Sequence, residues 1–336
     1  MAWSAKYTTE RKHVGKTELP TMRDVLAASQ VLRLHLPRTP LYRYETLGQE
    51  LSSEVFVKHE NHLPTGSFKV RGGINLVSRL LSSERSRGVI TASTGNHAQS
   101  IAYASKIFGG KAVIVMPENP NPLKVQATRA LGAEVILHGR DFDAAKEYAA
   151  RLGQEKQYRF IHPANEPLLI AGVATYTLEI FEDLPNVDVI IVPVGGGSGA
   201  SGACIVAKAI NPDAKVIAVQ SERAPAQYMS WKENKLVSAK NETFAEGLQT
   251  GQGYQLTQSI LHRYLDDFVL VSEDDIRESM LTLMTCTHNL VEGASAASLA
   301  GARKIKRRLK NKNVALIVSG GNVGLRDIID LYERRK

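Results

Sequence analysis

Short apolar runs, rich in valine, isoleucine and alanine, alternate along most of this chain with longer segments of helical periodicity. The runs that read as strands are 55–58, 89–92, 112–116, 135–138, 187–192, 216–220 and 314–318. The helix-like segments are 68–81, 98–108, 123–131, 170–181 and 276–286. Strands without polar alternation are buried on both faces, and their alternation with helices is typical of parallel sheets covered by helices. The sequence therefore predicts an α/β fold with mostly parallel, twisted sheets.

The composition is that of an ordinary globular enzyme. Hydrophobic residues make up 43% and charged residues 23% of the 336 positions, a length that suggests about two domains of roughly 150 residues each. Two cysteines, Cys204 and Cys286, are too few for a disulfide framework and fit a reducing compartment. The polar N-terminal stretch MAWSAKYTTERKH is unlike a signal peptide, and no apolar stretch approaches the roughly 18 residues of a membrane span. We therefore expect a cytoplasmic protein without a membrane partner.

The net charge of +8 is densest in the run 303–310, which reads RKIKRRLK. This run has the pattern of a late helix with a solvated basic face. It contains no aromatic residue on which a nucleic-acid base could stack, so we predict no nucleic-acid partner. A small anionic substrate would also suit the charge.

Ligands of such folds bind beyond the carboxyl ends of the strands, so the loops that directly follow strands are informative. The first of these, TASTGNHAQ at 91–99, opens a helix. Ser93, Thr94 and Asn96 are helix-capping residue types, and the free amides of a helix N-terminus bind anions such as a carboxylate. Taken alone, the loop reads more simply as a well-capped helix start, with His97 on the helix surface.

The second loop, PVGGGSGASG at 193–202, has three consecutive glycines and another two positions later. Glycines let backbone amides curl around a compact phosphate, and a merely structural turn rarely needs so many. The loop also contains a rival pattern. Residues 197–202 fit the G-x-G-x-x-G dinucleotide motif with Glu222 about 20 residues further on, so a nicotinamide-dependent dehydrogenase stays an alternative.

Lys69 lies near the start of the helix-like segment 68–81, where the helix dipole disfavours an ammonium group. A lowered pKa would raise the fraction of neutral amine, which is the form that attacks an aldehyde.

The third loop, SGGN at 319–322, places a hydroxyl at the end of a strand. An amine, a phosphate cup, an anion-binding helix start and a strand-end hydroxyl together match the needs of pyridoxal 5′-phosphate.

The stretches GSFKVRGG, STGNHAQ, PVGGGSGASG and VSGGN occur in this order, with FAEGLQTG between the last two. In this respect the chain resembles the fold-type II pyridoxal-phosphate enzymes, and more narrowly their serine/threonine dehydratase and serine racemase branch. The resemblance runs from about residue 38 to 324, and the short segment after Ser319 matches the catabolic type of threonine dehydratase.

The resemblance implies a fold like that of the tryptophan synthase β-subunit, with two lobes. Residues 1–87 and 166–336 would form a large cofactor-binding domain, and residues 88–165 a small mobile domain. A homodimer or homotetramer is implied as well.

The resemblance also implies roles for particular residues. Lys69 would form the Schiff base and move protons, and Phe68 would pack against the cofactor ring. The phosphate cup would consist of Gly195, Gly196, Gly197, Ser198 and Gly199. Ser319 would bond the pyridine nitrogen. Ser93, Thr94, Asn96 and His97 would hold the substrate carboxylate, with Asn96 also reaching the ring hydroxyl. Asn165 and Glu292 would line the pocket.

Ser319 is a neutral partner, so the ring would be a weaker electron sink and a carbanion at the α-carbon would not persist. This favours prompt loss of a β-hydroxyl, which would convert L-threonine to 2-oxobutanoate, or L-serine to pyruvate, with release of ammonia. Thr94 stands where racemases of this branch place a hydroxyl, so serine racemisation stays an alternative, as does dehydration of another 3-hydroxy amino acid. Gln220 and Ala226 stand where the racemase-like relatives have carboxylates that bind a divalent cation, so we predict no metal.

Overall fold

Most apolar runs of the sequence form strands that are buried on both faces, whereas the run at 135–138 forms a partly exposed edge strand. A computed structural model describes residues 18–333, so the polar N-terminal stretch lies outside the described residues. Every residue of Val89–Ala92 and Ala112–Met116 is buried, and so are the first four of Val189–Pro193. Helices cover both sides of these strands, as expected for parallel sheets.

Residues 18–333 form two sheets. The strands are β1 (Leu41–Arg43), β2 (Glu54–His59), β3 (Val89–Ala92), β4 (Ala112–Met116), β5 (Glu134–Leu137), β6 (Arg159–Phe160), β7 (Val189–Pro193), β8 (Lys215–Ser221), β9 (Asp267–Val271) and β10 (Asn313–Val318). One sheet has the order β1-β2-β10-β7-β8-β9 and the other the order β5-β4-β3-β6. All neighbours are parallel except β1, which pairs with β2 in the antiparallel direction. The predicted α/β fold with mostly parallel sheets is confirmed.

The α-helices of the described residues are α1 (Met22–Leu32), α2 (Glu45–Leu51), α3 (Lys69–Ser78), α4 (Ser82–Arg87), α5 (Asn96–Ile107), α6 (Pro122–Ala130), α7 (Phe142–Lys156), α8 (Pro167–Val173), α9 (Thr175–Asp183), α10 (Ser198–Ile210), α11 (Ala226–Glu233), α12 (Gln255–Tyr264), α13 (Glu273–Thr287), α14 (Gly293–Lys304), α15 (Lys306–Leu309) and α16 (Leu325–Glu333). Two short 3₁₀ turns lie at Glu60–His62 and Glu246–Leu248. No helix among the described residues is both long and apolar enough to cross a membrane.

Each predicted strand is present with its ends shifted by two residues or fewer, but the predicted helix 170–181 is two helices. The chain tightens at Ala174, where the amide of Thr177 donates to the Ala174 carbonyl at 3.0 Å, an i→i+3 bond. A Cβ on Gly202 would lie 2.8 Å from Ala174 Cα, so α10 approaches the backbone closely at this point. The helical periodicity of 170–181 carries no signal for this contact between distant segments.

The basic run 303–310 extends from the end of α14 into α15. Several of its cations have partners: Arg303 pairs with Glu50, and Arg308 pairs with Asp267. Leu309 is buried, so the run also anchors α15 to the core. Two of the six positive charges of this run are therefore paired with acids of the same chain.

The division into a domain of 1–87 and 166–336 and a domain of 88–165 stays a prediction, since a hydrophobic core crosses its boundary. Val70 and Ile74 of α3 share one buried cluster with Ile101 of α5 and Ile114 of β4. The contact between α3 and α5 is close, because a Cβ on Gly73 would lie 2.3 Å from Ser100 Oγ. Helix α3 therefore packs on both parts of the predicted division.

A buried network of charges anchors α3 just beyond its first residue. The guanidinium of Arg71 donates to Glu60 at 2.7 and 2.8 Å and to Glu179 at 2.7 and 2.9 Å. Lys58 Nζ also donates to Glu179, at 2.7 Å. Burial alone would raise the pKa of Glu179, but the charges and hydrogen bonds of Arg71 and Lys58 outweigh it and hold this pKa well below its usual range. The carboxylate of Glu179 therefore stays ionised at neutral pH.

Replacing Arg71 with methionine is expected to lower the free energy of unfolding by about 3–5 kcal/mol, because it leaves the buried carboxylate of Glu60 without a counter-charge. Arg43→Met is the matched control, since Arg43 is half exposed and also pairs with glutamates. An exposed pair of this kind contributes about 1 kcal/mol or less. Urea titration of both variants measures the difference, and equal losses would contradict the stabilising role of the buried network.

Candidate active site

A cleft of about 750 Å³ opens between the two sheets, where the loops after β3, β7 and β10 meet. Ser93–His97 and the start of α7 form one wall, and Gly195–Gly199 with the segment 238–254 form the other. Lys69, Glu292 and Ser319 line it as well. The structure therefore brings the three loops and the lysine of the sequence prediction into one cavity.

Lys69 reaches the cleft because the chain before α3 pairs with the loop after β10. The amide of Phe68 donates to the Ser319 carbonyl at 3.0 Å, and Ser67 forms an antiparallel bridge with Gly320. Lys69 is the first residue of α3, as predicted. Its Nζ donates to Ser198 Oγ at 3.0 Å and lies 4.9 Å from the centre of the Phe68 ring.

Burial lowers the pKa of Lys69 to about 8, and the negative charge of Glu292 opposes this shift. Part of the side chain is accessible from the cleft, but the protein atoms around the amine remove much of the water that would stabilise its charge. The lowered pKa expected from the sequence is therefore present, with burial as its largest cause rather than the helix dipole.

The glycine loop after β7 forms a concave backbone surface beside Lys69. Gly197 has φ +93°, a left-handed conformation that favours glycine. A Cβ on Gly195 would lie 2.1 Å from the Gly247 carbonyl oxygen, and one on Gly199 would lie 3.3 Å from both Phe68 and Tyr176. Ser198 is the first residue of α10, so the backbone amides of the first turn of this helix are free donors. This surface suits a phosphate.

The turn after β3 presents backbone amides and a hydroxyl to the opposite side of the cleft. Ser93 Oγ accepts hydrogen bonds from the amides of Gly95 and Ala98, both at 3.3 Å, and so fixes the turn that starts α5. Thr94 lines the cleft and is partly exposed to it. Among the described residues, the amides of Thr94, Asn96 and His97 donate to no protein acceptor, so the turn keeps three free donors for a carboxylate.

His97 lies in this turn, but its ring points away from solvent, so the simpler expectation of a helix-surface histidine is wrong. Its Nε2 lies 3.1 Å from Thr91 Oγ1, which itself donates to the Ile161 carbonyl. Burial, followed by the positive charge of Lys69, lowers the pKa of His97 to about 3. The imidazole is therefore neutral and braces the turn, and its side chain brings no cation to a bound carboxylate.

Asn96 and Glu292 meet inside the cleft. Asn96 Nδ2 donates to the two carboxylate oxygens of Glu292 at 2.9 and 3.2 Å, and Asn322 Nδ2 donates to Asn96 Oδ1 at 2.7 Å. Burial raises the pKa of Glu292, against the hydrogen bond from Asn96 and the charge of Lys124. The Asn96 amide is thus held with its NH₂ group toward Glu292.

Ser319 and Asn165 have different surroundings from each other. Ser319 lies at the end of β10 in the cleft, and its Oγ lies 3.1 Å from Ser295 Oγ. Asn165 does not line the cleft, contrary to the prediction. Its Oδ1 accepts a hydrogen bond from the Leu256 amide at 3.2 Å and so ties down the first turn of α12, a contact between residues 91 positions apart.

Sequence reasoning missed two further polar groups of the site, Ser295 and Asn322. Ser295 Oγ accepts from the Gly320 amide at 2.8 Å and donates to the Gly320 carbonyl at 2.7 Å, so it holds the loop that carries Ser319. Asn322 lies in the SGGN loop, which could have indicated it. Ser295 is one of several small residues in α14, and nothing in the sequence distinguishes it.

The residues of the cleft fit pyridoxal phosphate. The amine of Lys69 lies beside a glycine loop with free amides at the start of α10, and a neutral hydroxyl lies at the end of the next strand of the sheet. Gly195–Gly199 would hold the phosphate, Ser319 the ring nitrogen, and Phe68 one side of the ring.

Attachment of pyridoxal phosphate to the apoenzyme is expected to speed up about tenfold per pH unit below pH 8 and to level off above it. The reason is that only neutral Lys69 reacts, and its pKa is about 8. Glu292→Gln removes a charge that raises this pKa, so the midpoint moves to lower pH. Stopped-flow absorbance measures the rate, and a midpoint near that of an ordinary lysine would contradict the assignment.

Replacing Gly197 with alanine is expected to weaken pyridoxal-phosphate binding at least about tenfold, equivalent to about 1.4 kcal/mol. The new Cβ would lie 2.9 Å from Thr257 Cβ, and relief of this contact displaces the amides of the cup. Gly132→Ala is the matched control, because Gly132 has a similar φ of +88° with open space around it. An absorbance titration measures both variants, and unchanged affinity in Gly197→Ala would contradict the cup.

Comparisons with known proteins agree with this site. The family of pyridoxal-phosphate dependent enzymes matches residues 32–320. The chain is 40% identical to L-threonine ammonia-lyase of Thermotoga maritima, over 90% of this chain and 76% of that protein. It is 36% identical to the catabolic L-threonine dehydratase of Escherichia coli, over 90% of this chain and 93% of that protein.

A solved structure, the serine racemase of Dictyostelium discoideum, superposes with a TM-score of 0.86 at 35% identity and covers 91% of this chain and 99% of its own. The threonine deaminase isoform 2 of Solanum lycopersicum superposes with a TM-score of 0.88 at 32% identity and covers 95% of this chain and 92% of its own. These matches favour the phosphate-cup interpretation of 193–202 over the dinucleotide one. The chain belongs to the pyridoxal-phosphate dependent enzymes of fold type II.

Proposed function

We propose that this enzyme removes water from L-threonine, and also from L-serine, and that hydrolysis of the released enamine then gives a 2-oxo acid and ammonia. The observation that carries the proposal is the position of Lys69 Nζ, which lies between a glycine cup and the amide-rich turn 93–97 in one cleft. The dehydratase and ammonia-lyase names of the relatives support the same reaction.

Pyridoxal phosphate, when bound, supplies a carbonyl that an amine can attack and a ring that withdraws electrons from the substrate's α-carbon. The residues of this chain do the rest. The free backbone amides of Thr94, Asn96 and His97 hold the substrate carboxylate, and this fixes which bond of the α-carbon faces Lys69. The neutral ring of His97 maintains this turn through Thr91.

Lys69 takes the proton from the α-carbon. With its pKa near 8, a useful fraction of the amine is neutral at physiological pH, and the conjugate acid is still strong enough to return a proton later. Ser198 Oγ accepts a hydrogen bond from Nζ and so keeps the amine directed into the cleft.

Ser319 offers a hydroxyl rather than a carboxylate to the ring nitrogen, and its neighbour Ser295 is also a neutral hydroxyl. Neither group stabilises a positive charge on that nitrogen. The negative charge that remains on the α-carbon after proton removal is therefore only weakly stabilised. Loss of the β-hydroxyl is favoured over transamination for this reason.

Serine racemisation is the second candidate function. Thr94 lines the cleft with a hydroxyl side chain, and the serine racemase of Dictyostelium discoideum has the same fold. A hydroxyl on the face opposite Lys69 would return a proton to that side of the α-carbon. We propose this as a minor activity beside dehydration.

The remaining expectations stay proposals. Closure of residues 88–165 over the cleft and assembly into a homodimer or homotetramer follow from the resemblance. A cytoplasmic location is supported by two free cysteines, Cys204 and Cys286. Within residues 18–333, no group of three His, Cys, Asp or Glu side chains could hold a metal ion, and we propose that activity survives a chelator.

The purified enzyme with pyridoxal phosphate is expected to release 2-oxobutanoate from L-threonine and pyruvate from L-serine. A coupled assay for 2-oxo acid measures both, and chiral chromatography of the L-serine reaction detects D-serine. Lys69→Ala is expected to lose at least about 10³-fold in turnover, since it removes the proton-transfer group.

Thr94→Ala separates the two candidate functions, because it should remove D-serine formation and retain 2-oxo acid release. Normal turnover in Lys69→Ala would contradict the role of this lysine. D-serine formation without 2-oxo acid from either substrate would replace dehydration with racemisation.

A further inference from the structure

Three buried glutamines lie behind the glycine cup, and the proposed reaction uses none of them. Gln220 at the end of β8, Gln227 in the first turn of α11 and Gln258 in α12 are each 3% exposed or less. Burial of a primary amide is unfavourable unless its donors and acceptor have partners. Within residues 18–333, Gln220 Nε2 and Gln258 Oε1 have no partner, whereas the nitrogen and the oxygen of the Gln227 amide both have one.

Gln227 is bonded to the cup itself. Its Nε2 donates to the Gly196 carbonyl at 3.1 Å. Gln258 Nε2 donates both to Gln227 Oε1 and to the Gln227 main-chain carbonyl, the latter at 3.0 Å. Because Gln258 brings a donor to Oε1, the NH₂ group of Gln227 must face Gly196. The amide of Gln227 thus has one favoured orientation.

The bond to Gly196 determines where the next amide points. In a planar trans peptide the C=O and N–H bonds point in opposite directions, and the peptide units of residues 18–333 are all trans. With the Gly196 carbonyl held toward Gln227 in the protein interior, the Gly197 N–H points to the other side, which is the cleft that Gly196 and Gly197 line.

Such a tether matters because three successive glycines have little conformational preference of their own. A second tether holds the far end of the cup, where Tyr176 hydroxyl donates to the Gly199 carbonyl at 2.9 Å. A donor on a peptide carbonyl also polarises the peptide and strengthens the hydrogen bond that its N–H makes. Both effects favour a bound phosphate.

We propose that Gln227, oriented by Gln258, is a positioning residue for the cofactor phosphate. It holds the Gly196–Gly197 peptide with its N–H directed into the cup before the cofactor binds. Gln227 is a neutral donor at the back of the cup and adds no charge to the site. Its effect is therefore specific for the phosphate and does not extend to the aldehyde that Lys69 attacks.

The test compares pyridoxal phosphate with pyridoxal, which has the same aldehyde and ring but no phosphate. Gln227→Met keeps the length of the side chain and removes the donor. In the full-length apoenzyme its dissociation constant for pyridoxal phosphate should rise about 5- to 30-fold, as expected when a buried carbonyl loses its donor. Its constant for pyridoxal should not change. The ³¹P resonance of the bound cofactor should also shift.

Ser53→Ala is the matched control. Ser53 is buried just before β2, at the end of the sheet opposite the cleft, and its hydroxyl donates to the Leu309 carbonyl at 2.6 Å, so its removal costs a comparable buried hydrogen bond away from the cup. It should leave both dissociation constants unchanged. Gln258→Met should give a smaller, phosphate-specific loss, because Gln227 keeps its donor but loses its fixed orientation.

Gln227→Asn retains an amide but shortens it, and it serves as a second variant if Gln227→Met does not fold. It should show the same selective loss for pyridoxal phosphate. Equal weakening of pyridoxal phosphate and pyridoxal would show that Gln227 only stabilises the fold, and would overturn the proposal. Unchanged binding of both compounds would overturn it as well.

Discussion

The backbone pairing between the start of α3 and the loop after β10 is the contact on which the site depends. Phe68 N–H donates to the Ser319 carbonyl, and Gly321 N–H donates to the Gly66 carbonyl at 2.9 Å, across about 250 residues of chain. Because β10 lies beside β7, this pairing also brings Lys69 to the glycine loop that follows β7. Two segments that are far apart in the sequence thus become adjacent walls of one cleft. Without the pairing, the lysine and the phosphate cup would have no fixed distance between them.

Helix α3 carries two basic residues, Arg71 and Lys69, whose surroundings change their pKa values in opposite directions. Arg71 faces the buried carboxylates of Glu60 and Glu179, which keep it charged despite its burial. Lys69, two residues earlier, has only Glu292 to oppose burial, and its pKa falls to about 8. Two buried carboxylates therefore contact Arg71, whereas Lys69 has no carboxylate within hydrogen-bond distance among the described residues. The same helix is held firmly in place while its first residue keeps a neutral amine available.

The sequence carried enough information for the fold class and for the parts of the site that local motifs encode. The apolar strands, the glycine cup and the helix start at Lys69 each depend on residues within about ten positions of one another. The inward-facing ring of His97, the role of Asn165 at α12 and the tether from Gln227 could not be predicted, because each depends on a contact across sequence and on side-chain orientation. The origin of the lowered pKa of Lys69 was missed for the same reason. Desolvation depends on how many protein atoms surround the amine in the folded chain. A local sequence motif does not contain this information.

The site is built largely from neutral donors. Ser319 and Ser295 lie where we propose that the cofactor ring binds, Gln227 is bonded to the glycine loop after β7, and the buried ring of His97 in the turn after β3 stays neutral. Fixed cations at these places would bind a doubly charged phosphate and a carboxylate more strongly, but their positive field would lower the pKa of Lys69 further and weaken it as a base. Neutral, preoriented dipoles bind the same anions without this penalty. The use of amides and hydroxyls in place of arginines is therefore consistent with the role that we propose for Lys69, which would both take up and return a proton near neutral pH.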